Sequence, residues 1–268
     1  MITDDLLRRA ATQHGQGQLA EATQSFRAVL RIDPAHPQAT RSLLTIARQL
    51  RQPTAAVPTA ASAAVDNQVN QERRKYEQVW QCEEYRRFSP GLHGAKLIDL
   101  IGFFRRQQVR TILDAGCGTG QLMRQIMTEF PDEFDVRGFD ISSNCLDSSF
   151  DAIREDILTV GCLWNLAEFG AVYDGVICTD VMEHIPPERV AASLDNLRRS
   201  TAKAAYLGIA LFPDGYGKKI LGEPLHLTVR EPQWWIAAIQ DAGYTVASAI
   251  VETAESGKPM WLHALLTV

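Results

Sequence analysis

The chain has 268 residues, 46% of them hydrophobic, enough for one α/β domain with a full core and a smaller appendage. A formal net charge of −5 and a pI near 5.7 come without a dense basic stripe, which disfavours a nucleic-acid backbone as partner. The five cysteines, at 82, 117, 145, 162 and 178, form no CxxC, which argues against a zinc ribbon or disulfide framework and fits a reducing cytoplasm. The opening MITDDLLRRA carries no basic-then-apolar leader, and no window approaches ~18 consecutive apolar residues, so neither a signal peptide nor a membrane span is expected.

Leu6, Leu7 and Ala10, then Leu19, Ala22, Phe26 and Leu30, then Leu43, Leu44 and Ile46 recur at helical spacing and predict helices between Asp4 and Leu50. Gly15 and Gly17 separate the first two. Asp33-Pro34 ends the second, because proline lacks the amide hydrogen and restricts its predecessor. This cadence resembles a single tetratricopeptide repeat, with Ala10 as the small residue, Gly15 in the turn, Ala22 and Phe26 on the packing face and Pro34 closing the unit. One repeat cannot bury both faces, so the resemblance implies packing on the main domain, self-association or a protein partner. An amphipathic helical hairpin without a partner is the alternative. Residues 52–67, QPTAAVPTAASAAVDN, are rich in Ala, Pro and Thr and predict a linker between a helical hairpin over 1–51 and a main domain over 68–268.

Beyond the linker, QERRKYEQVWQCEEYRRF and GLHGAKLIDLIGFFRRQQV predict two helices, the second with Leu97, Ile98, Ile101 and Phe104 facing inward. The pattern then changes to short apolar or β-branched runs: TILDA, DVRGFDI, YDGVICTDV, KAAYLGIAL, TVASAIVET and MWLHALLTV. Most are separated by helical stretches such as QLMRQIMTEF, PERVAASLDNLRRS and EPQWWIAAIQDAGY, which predicts a mainly parallel sheet covered by helices. The last two runs follow each other across the polar turn Glu255 to Lys258 and should pair antiparallel.

TILDA runs directly into GCGTG and then a helix, the strand, glycine turn and helix order of nucleoside and dinucleotide binders. Gly116, Gly118 and Gly120 permit backbone angles and close approach that a Cβ would block. No Lys-Ser or Lys-Thr follows, so a Walker phosphate loop is excluded. The spacing GxGxG counts against a pyrophosphate site, and Asp114 at the strand end suits a cationic or zwitterionic ligand better.

ILDAGCGTG, residues 112–120, resembles the first motif of class I S-adenosylmethionine-dependent methyltransferases. The resemblance implies an α/β fold with a Rossmann-like, mainly parallel seven-stranded sheet and an antiparallel C-terminal hairpin, with the small helical segment added at the N-terminus. It also implies S-adenosylmethionine as cofactor, its amino-acid part received by Asp114, Gly116, Cys117, Gly118 and Gly120. GFDIS matches a second motif, with Asp140 positioned to accept bonds from ribose hydroxyls and Ile141 beside it. REDIL resembles the adenine-contacting segment and makes Asp156 and Ile157 candidates there. YDGVICTDVMEHIP resembles the fourth strand, whose end at Thr179 faces sulfonium and acceptor. Tyr85 and Arg86 precede the first motif where family helices close over the cofactor, so they are candidates for its methionine end; an amphipathic helix on the sheet edge is the bland alternative.

Methyl transfer is a one-step displacement in which alignment does most of the work, while a hydroxyl acceptor must also lose a proton. Candidates for that chemistry are His184, His226 and Asp180, with His226 in the long loop GYGKKILGEPLHLTVREP; each histidine could equally be structural. On the first turns of a helix, Asp180, Glu183 and His184 of DxxEH would share a face, and with His226 they could form an O/N metal site. The pattern resembles the metal-binding ExxEH of small-RNA 2′-O-methyltransferases and clusters in ubiquinone-pathway enzymes, but EHI also occurs in metal-free relatives, and the main expectation carries no metal. That expectation is O-methylation of a small molecule, sugar or glycan precursor. A metal-assisted RNA or quinone methyltransferase is one alternative, and a non-catalytic adaptor on the same scaffold is another.

Overall fold

The computed structural model describes residues 2–33, 36, 38–39, 42–43, 46, 60–87, 91–165 and 171–268. The chain divides into two compact units, Met1–Ser62 and Ala63–Val268.

In the smaller unit, helices Ile2–Gly15 and Leu19–Ile32 are joined by a tight turn in which Gly17 takes φ +74°, a conformation that favours glycine. Ala10, Ala22, Phe26 and Val29 form its buried core with Ala39 and Ile46, and Leu6, Leu7, Leu19, Leu30 and Leu43 pack around them. Pro34 and Leu44 lie outside the described residues.

The larger unit opens within helix Ala60–Val79. Its first turns fall inside the stretch expected to be linker. Alanine, the strongest helix former, fills AASAAV, and that propensity prevails once the prolines at 53 and 58 are passed; residues 52–59 lie outside the described set. The expected second helix is two, Gly91–Leu97 and Leu100–Arg106, because Asp99 adopts φ +50° and caps the second, its carboxylate accepting from the Gly102 amide at 3.2 Å. The break turns Leu97 outward (44% exposed) while Ile98 and Phe104 stay buried.

Seven strands follow: β1 Thr111–Ala115, β2 Asp135–Asp140, β3 Leu158–Val160, β4 Tyr173–Thr179, β5 Thr201–Ala210, β6 Thr245–Thr253 and β7 Pro259–Thr267. They form one sheet in the order β3-β2-β1-β4-β5-β7-β6, parallel except where β7 pairs antiparallel with both β5 and β6. Alternate residues serve two cores. Leu113, Ala115, Val176, Cys178, Ala205 and Leu207 pack on one face, and Ile112, Ile177, Ala204 and Tyr206 on the other. Burial on both faces explains why the central strands read as nearly continuous apolar runs. The chain leaves β1 outward to β2 and β3, then crosses back to place β4 on the other side of β1. A crevice opens at the carboxyl ends of such a switch point.

Candidate functional site

The crevice is a cavity of about 480 Å³, within the usual range of small-ligand sites. One half is formed by the ends of β1, β2 and β3. After β1 the chain turns through Gly116 (φ +85°) and Gly118 (φ +52°); a Cβ on Gly116 would strike Val181, and one on Gly118 would come within 2.9 Å of the Trp80 ring. Gly120 (φ +77°) starts helix Gln121–Glu129 and gives room to Leu146 and Phe150; its role is packing, outside the cavity lining. The loop closes on itself, since the amides of Gly116 and Cys117 both donate to the Phe139 carbonyl, at 2.6 and 3.0 Å, and the Gly118 amide donates to Asp140 Oδ2 at 3.0 Å.

Asp114 and Asp140 are buried at the tips of β1 and β2. Burial, with the Asp140 charge second, lifts the Asp114 carboxyl from 3.8 to about 7. Burial also raises Asp140, against the pull of its bonds from Ser142, at 3.0 Å from the amide and 3.1 Å from the hydroxyl, and from Gly118. No cationic side chain among the described residues offsets the Asp114 charge, as expected of a receptor for a positively charged group.

Besides Gly120, two further expectations are corrected in this half. Asp156 is exposed and Ile157 is buried in the core, and neither lines the cavity. REDIL forms the short helix Arg154–Ile157 ahead of β3, and the cavity wall is made after that strand by Gly161, Cys162, Leu163 and Trp164. The Asn196 amide fixes that segment by donating to the Leu163 carbonyl at 2.6 Å. Arg86 also fails to reach the cavity: its guanidinium donates to the carbonyls of Trp80, Asn144 and Leu146 at 3.1, 3.2 and 3.1 Å, pinning helix Glu83–Arg86 to the loop after β2. Tyr85 and Ile141 do line the cavity.

The other half is built from the ends of β4, β5 and β7. Thr179 ends β4, and Asp180 follows at φ +54°, a strained angle for a side-chain-bearing residue. Trp261 Nε1 donates to Asp180 Oδ1 at 3.1 Å, yet burial still lifts the carboxyl to about 7. DxxEH therefore does not share an α-helical face; Met182–His184 is a single 3₁₀ turn, because the chain must bend sharply toward Pro186. Neither oxygen of Glu183 makes a hydrogen bond, and burial pushes its carboxyl well above the usual range. His184 Nδ1 is likewise buried without a partner, and burial, with His226 second, lowers its pKa to about 3, so the ring is neutral.

His226 meets His184 edge-on, with ring centroids 4.7 Å apart. Its Nδ1 lies 2.6 Å from the Phe212 carbonyl. A carbonyl can only accept, so Nδ1 carries the proton and the neutral ring presents Nε2 as a lone pair. Burial depresses the His226 pKa further than the Phe212 bond and Asp214 raise it. The loop is held by Asp214, which accepts from the amides of Gly217, Leu225 and His226 at 2.6, 2.7 and 3.0 Å. Glu183, His184 and His226 each bring one ligand atom within 4.8 Å of the others, as do Cys117, Asp140 and Cys145.

Sequence reasoning missed Glu72, Tyr76, Phe212, Asp214 and Trp261, all in the lining. For Glu72 and Tyr76 a signal existed, since with Trp80 they recur every four residues along one helix face. Trp261 enters only through the register that sets it beside Ala210.

A methyltransferase-domain family model matches residues 112–204. No curated protein matches the chain. Similar solved structures include magnesium protoporphyrin IX methyltransferase of Synechocystis PCC 6803 with bound S-adenosylhomocysteine, at 21% identity over 65% of this chain and 83% of that one, TM-score 0.47. A S-adenosylmethionine-dependent methyltransferase of Archaeoglobus fulgidus is 18% identical over 69% and 97% of the two chains, TM-score 0.49. One from Clostridium acetobutylicum ATCC 824 is 12% identical over 63% and 89%, TM-score 0.49. Residues 112–204 thus match a methyltransferase domain, and the glycine turn after β1 and the order of the seven-stranded sheet are those expected of a class I S-adenosylmethionine-dependent methyltransferase.

Proposed function

We propose that the protein transfers a methyl group to a hydroxyl of a small molecule, sugar or glycan precursor, with His226 as general base. The supporting observation is the His226 ring, neutral and oriented by the Phe212 carbonyl so that Nε2 is the free lone pair at the cavity wall. S-adenosylmethionine supplies an electrophilic methyl on a sulfonium. In this reading Asp114 takes the cofactor's ammonium, Asp140 the ribose hydroxyls, and Gly161–Trp164 flank the adenine. Thr179 and His226 would flank the acceptor hydroxyl, and His226 Nε2 would take its proton while the methyl carbon exchanges its bond to sulfur for one to oxygen, leaving S-adenosylhomocysteine. A panel of hydroxylated acceptors, followed by release of S-adenosylhomocysteine, tests this: turnover that His226→Gln abolishes supports it, and turnover that survives the substitution removes the base.

One observation favours a second reading, metal-assisted transfer. Glu183 and His184 present three buried polar atoms without hydrogen bonds beside His226, a donor set suited to a divalent cation. Those side chains would hold the ion and the ion would polarise the acceptor hydroxyl. Turnover lost to a chelator and restored by magnesium or manganese selects this reading. The N-terminal hairpin, as a separate module over 1–51, is assigned to a protein partner or to self-association, and the cytoplasm to the whole chain. No helix among the described residues is long and apolar enough to cross a membrane.

A further inference from the structure

On the β1–β2 side of the cavity, two thiols that methyl transfer does not use come together at Asp140. Cys117 Sγ, Cys145 Sγ and a carboxylate oxygen of Asp140 all lie within 4.8 Å of one another, and all three residues are buried. Sulfur collects here because Gly138 on β2 leaves it room: a Cβ there would stand 2.8 Å from Cys117 Sγ and 2.9 Å from Met123 Sδ. Contact with the Cys145 thiol, then burial, push the Cys117 thiol well above its ordinary range, so it keeps its proton until a cation displaces it.

Both thiol-bearing loops are held in place. The Cys117 amide donates to the Phe139 carbonyl at 3.0 Å, and Arg86 grips the carbonyls on either side of Cys145, those of Asn144 and Leu146, at 3.2 and 3.1 Å. Cys117 and Asp140 line the cavity, so an ion that enters it reaches the cluster through them. Asp114, Asp180 and Asp214 stand in the same lining, while its lysine, Lys219, is bound to Glu84, a balance that favours entry of a cation.

We propose that Cys117, Cys145 and Asp140 form a site for a thiophilic divalent cation such as zinc, and that this ion and the cofactor exclude each other. Two thiolates and a carboxylate, with a thioether close by, suit zinc or cadmium and disfavour magnesium, which takes an oxygen shell. Sulfur sits about 2.3 Å from zinc, which sets tetrahedral ligands about 3.5–4 Å apart, so the cluster closes on the ion with shifts of about 1 Å or less. Each thiol releases its proton to solvent as its sulfur bonds to the metal, two protons for each ion, and water completes the shell. The exclusion, unlike the binding, rests on the cofactor reading above: Asp140 cannot ligate the ion and hold the ribose hydroxyls at once.

The test titrates the full chain, kept reduced with a phosphine, with cadmium, following thiolate-to-metal ultraviolet absorption and proton release. One ion should bind with loss of about two protons, displaced by zinc and not by magnesium. Cys117→Ser and Cys145→Ser should each weaken binding by more than about a hundredfold, beyond the cost of losing an outer partner, while Cys82→Ser, outside the lining, leaves it unchanged. Absorption that survives both of the first two substitutions, or that disappears with the third, overturns the site. S-adenosylhomocysteine at about ten times its dissociation constant should weaken cadmium binding about tenfold; an unchanged cadmium affinity with the ligand bound overturns the exclusion. Wild type that binds cadmium through these thiols but no S-adenosylhomocysteine takes down the cofactor reading and leaves the metal site standing, and the opposite pair of results takes down the metal site alone.

Discussion

The two halves of the cleft differ in how far apart in sequence their parts lie. The β1–β2 side is local: Asp114, the glycine turn and Asp140 fall within one strand–helix–strand unit, and the Gly118 amide donates to Asp140 across it. The β4–β5–β7 side is assembled from distant segments, with Asp180 held by Trp261 and His226 by Phe212. A local half can announce itself through spacing, whereas a dispersed half depends on register and loop paths. The second half leaves Glu183 and His184 Nδ1 unpaired, which suits a place where a ligand completes the structure.

The largest expected effect separates the halves functionally. His226→Gln should lower kcat by about 10²–10⁴-fold, the contribution of a positioned base, with S-adenosylhomocysteine affinity unchanged; a parallel loss of affinity would merge the two halves. Next, Arg86→Ala should cost about 2–3 kcal/mol of stability in denaturant unfolding, since three carbonyls lose a charged donor. Cofactor affinity lost at unchanged stability would return Arg86 to the binding residues.

A subtler effect concerns Asp114. Its folded carboxyl, raised from 3.8 to about 7, keeps a proton that the unfolded chain has released. The stability from this group is therefore full below about pH 4 and is lost as pH climbs through 7. Asparagine does not titrate, so Asp114→Asn should gain stability relative to wild type between pH 4 and 7 and level off above, read as the Tm difference without cofactor. A difference that is flat or shrinks across that window contradicts the buried, uncompensated carboxyl. The smallest effect is Asp156→Ala, expected to stay within about 0.5 kcal/mol in stability and to leave cofactor affinity unaltered, because the side chain is exposed away from the cavity.

The contrast between the halves also accounts for what could be read from sequence. Six of the seven strands and the terminal hairpin were legible because each carries its own run and the turn Glu255 to Lys258 leaves only an antiparallel return, while the seventh strand followed only from the family resemblance. GCGTG was legible because positive φ at two close-packed positions requires glycine. The adenine side was not: β3 is three residues long, so Asp156 was assigned where the wall is in fact Gly161–Trp164. Arg86 was misplaced for a different reason, since its three carbonyl partners belong to its own turn and to a loop about sixty residues on. The helical face expected for DxxEH gave way to the φ of Asp180, which no residue type announces.

The most direct test of the central claim is calorimetric titration of the intact chain with S-adenosylhomocysteine, beside an Asp140→Ala variant. Wild type should bind in the micromolar range and the variant about tenfold or more weakly, as its ribose contacts and the bond from the Gly118 amide disappear. A folded wild-type protein that does not bind, or a variant that binds equally well, would contradict the cleft as the cofactor site.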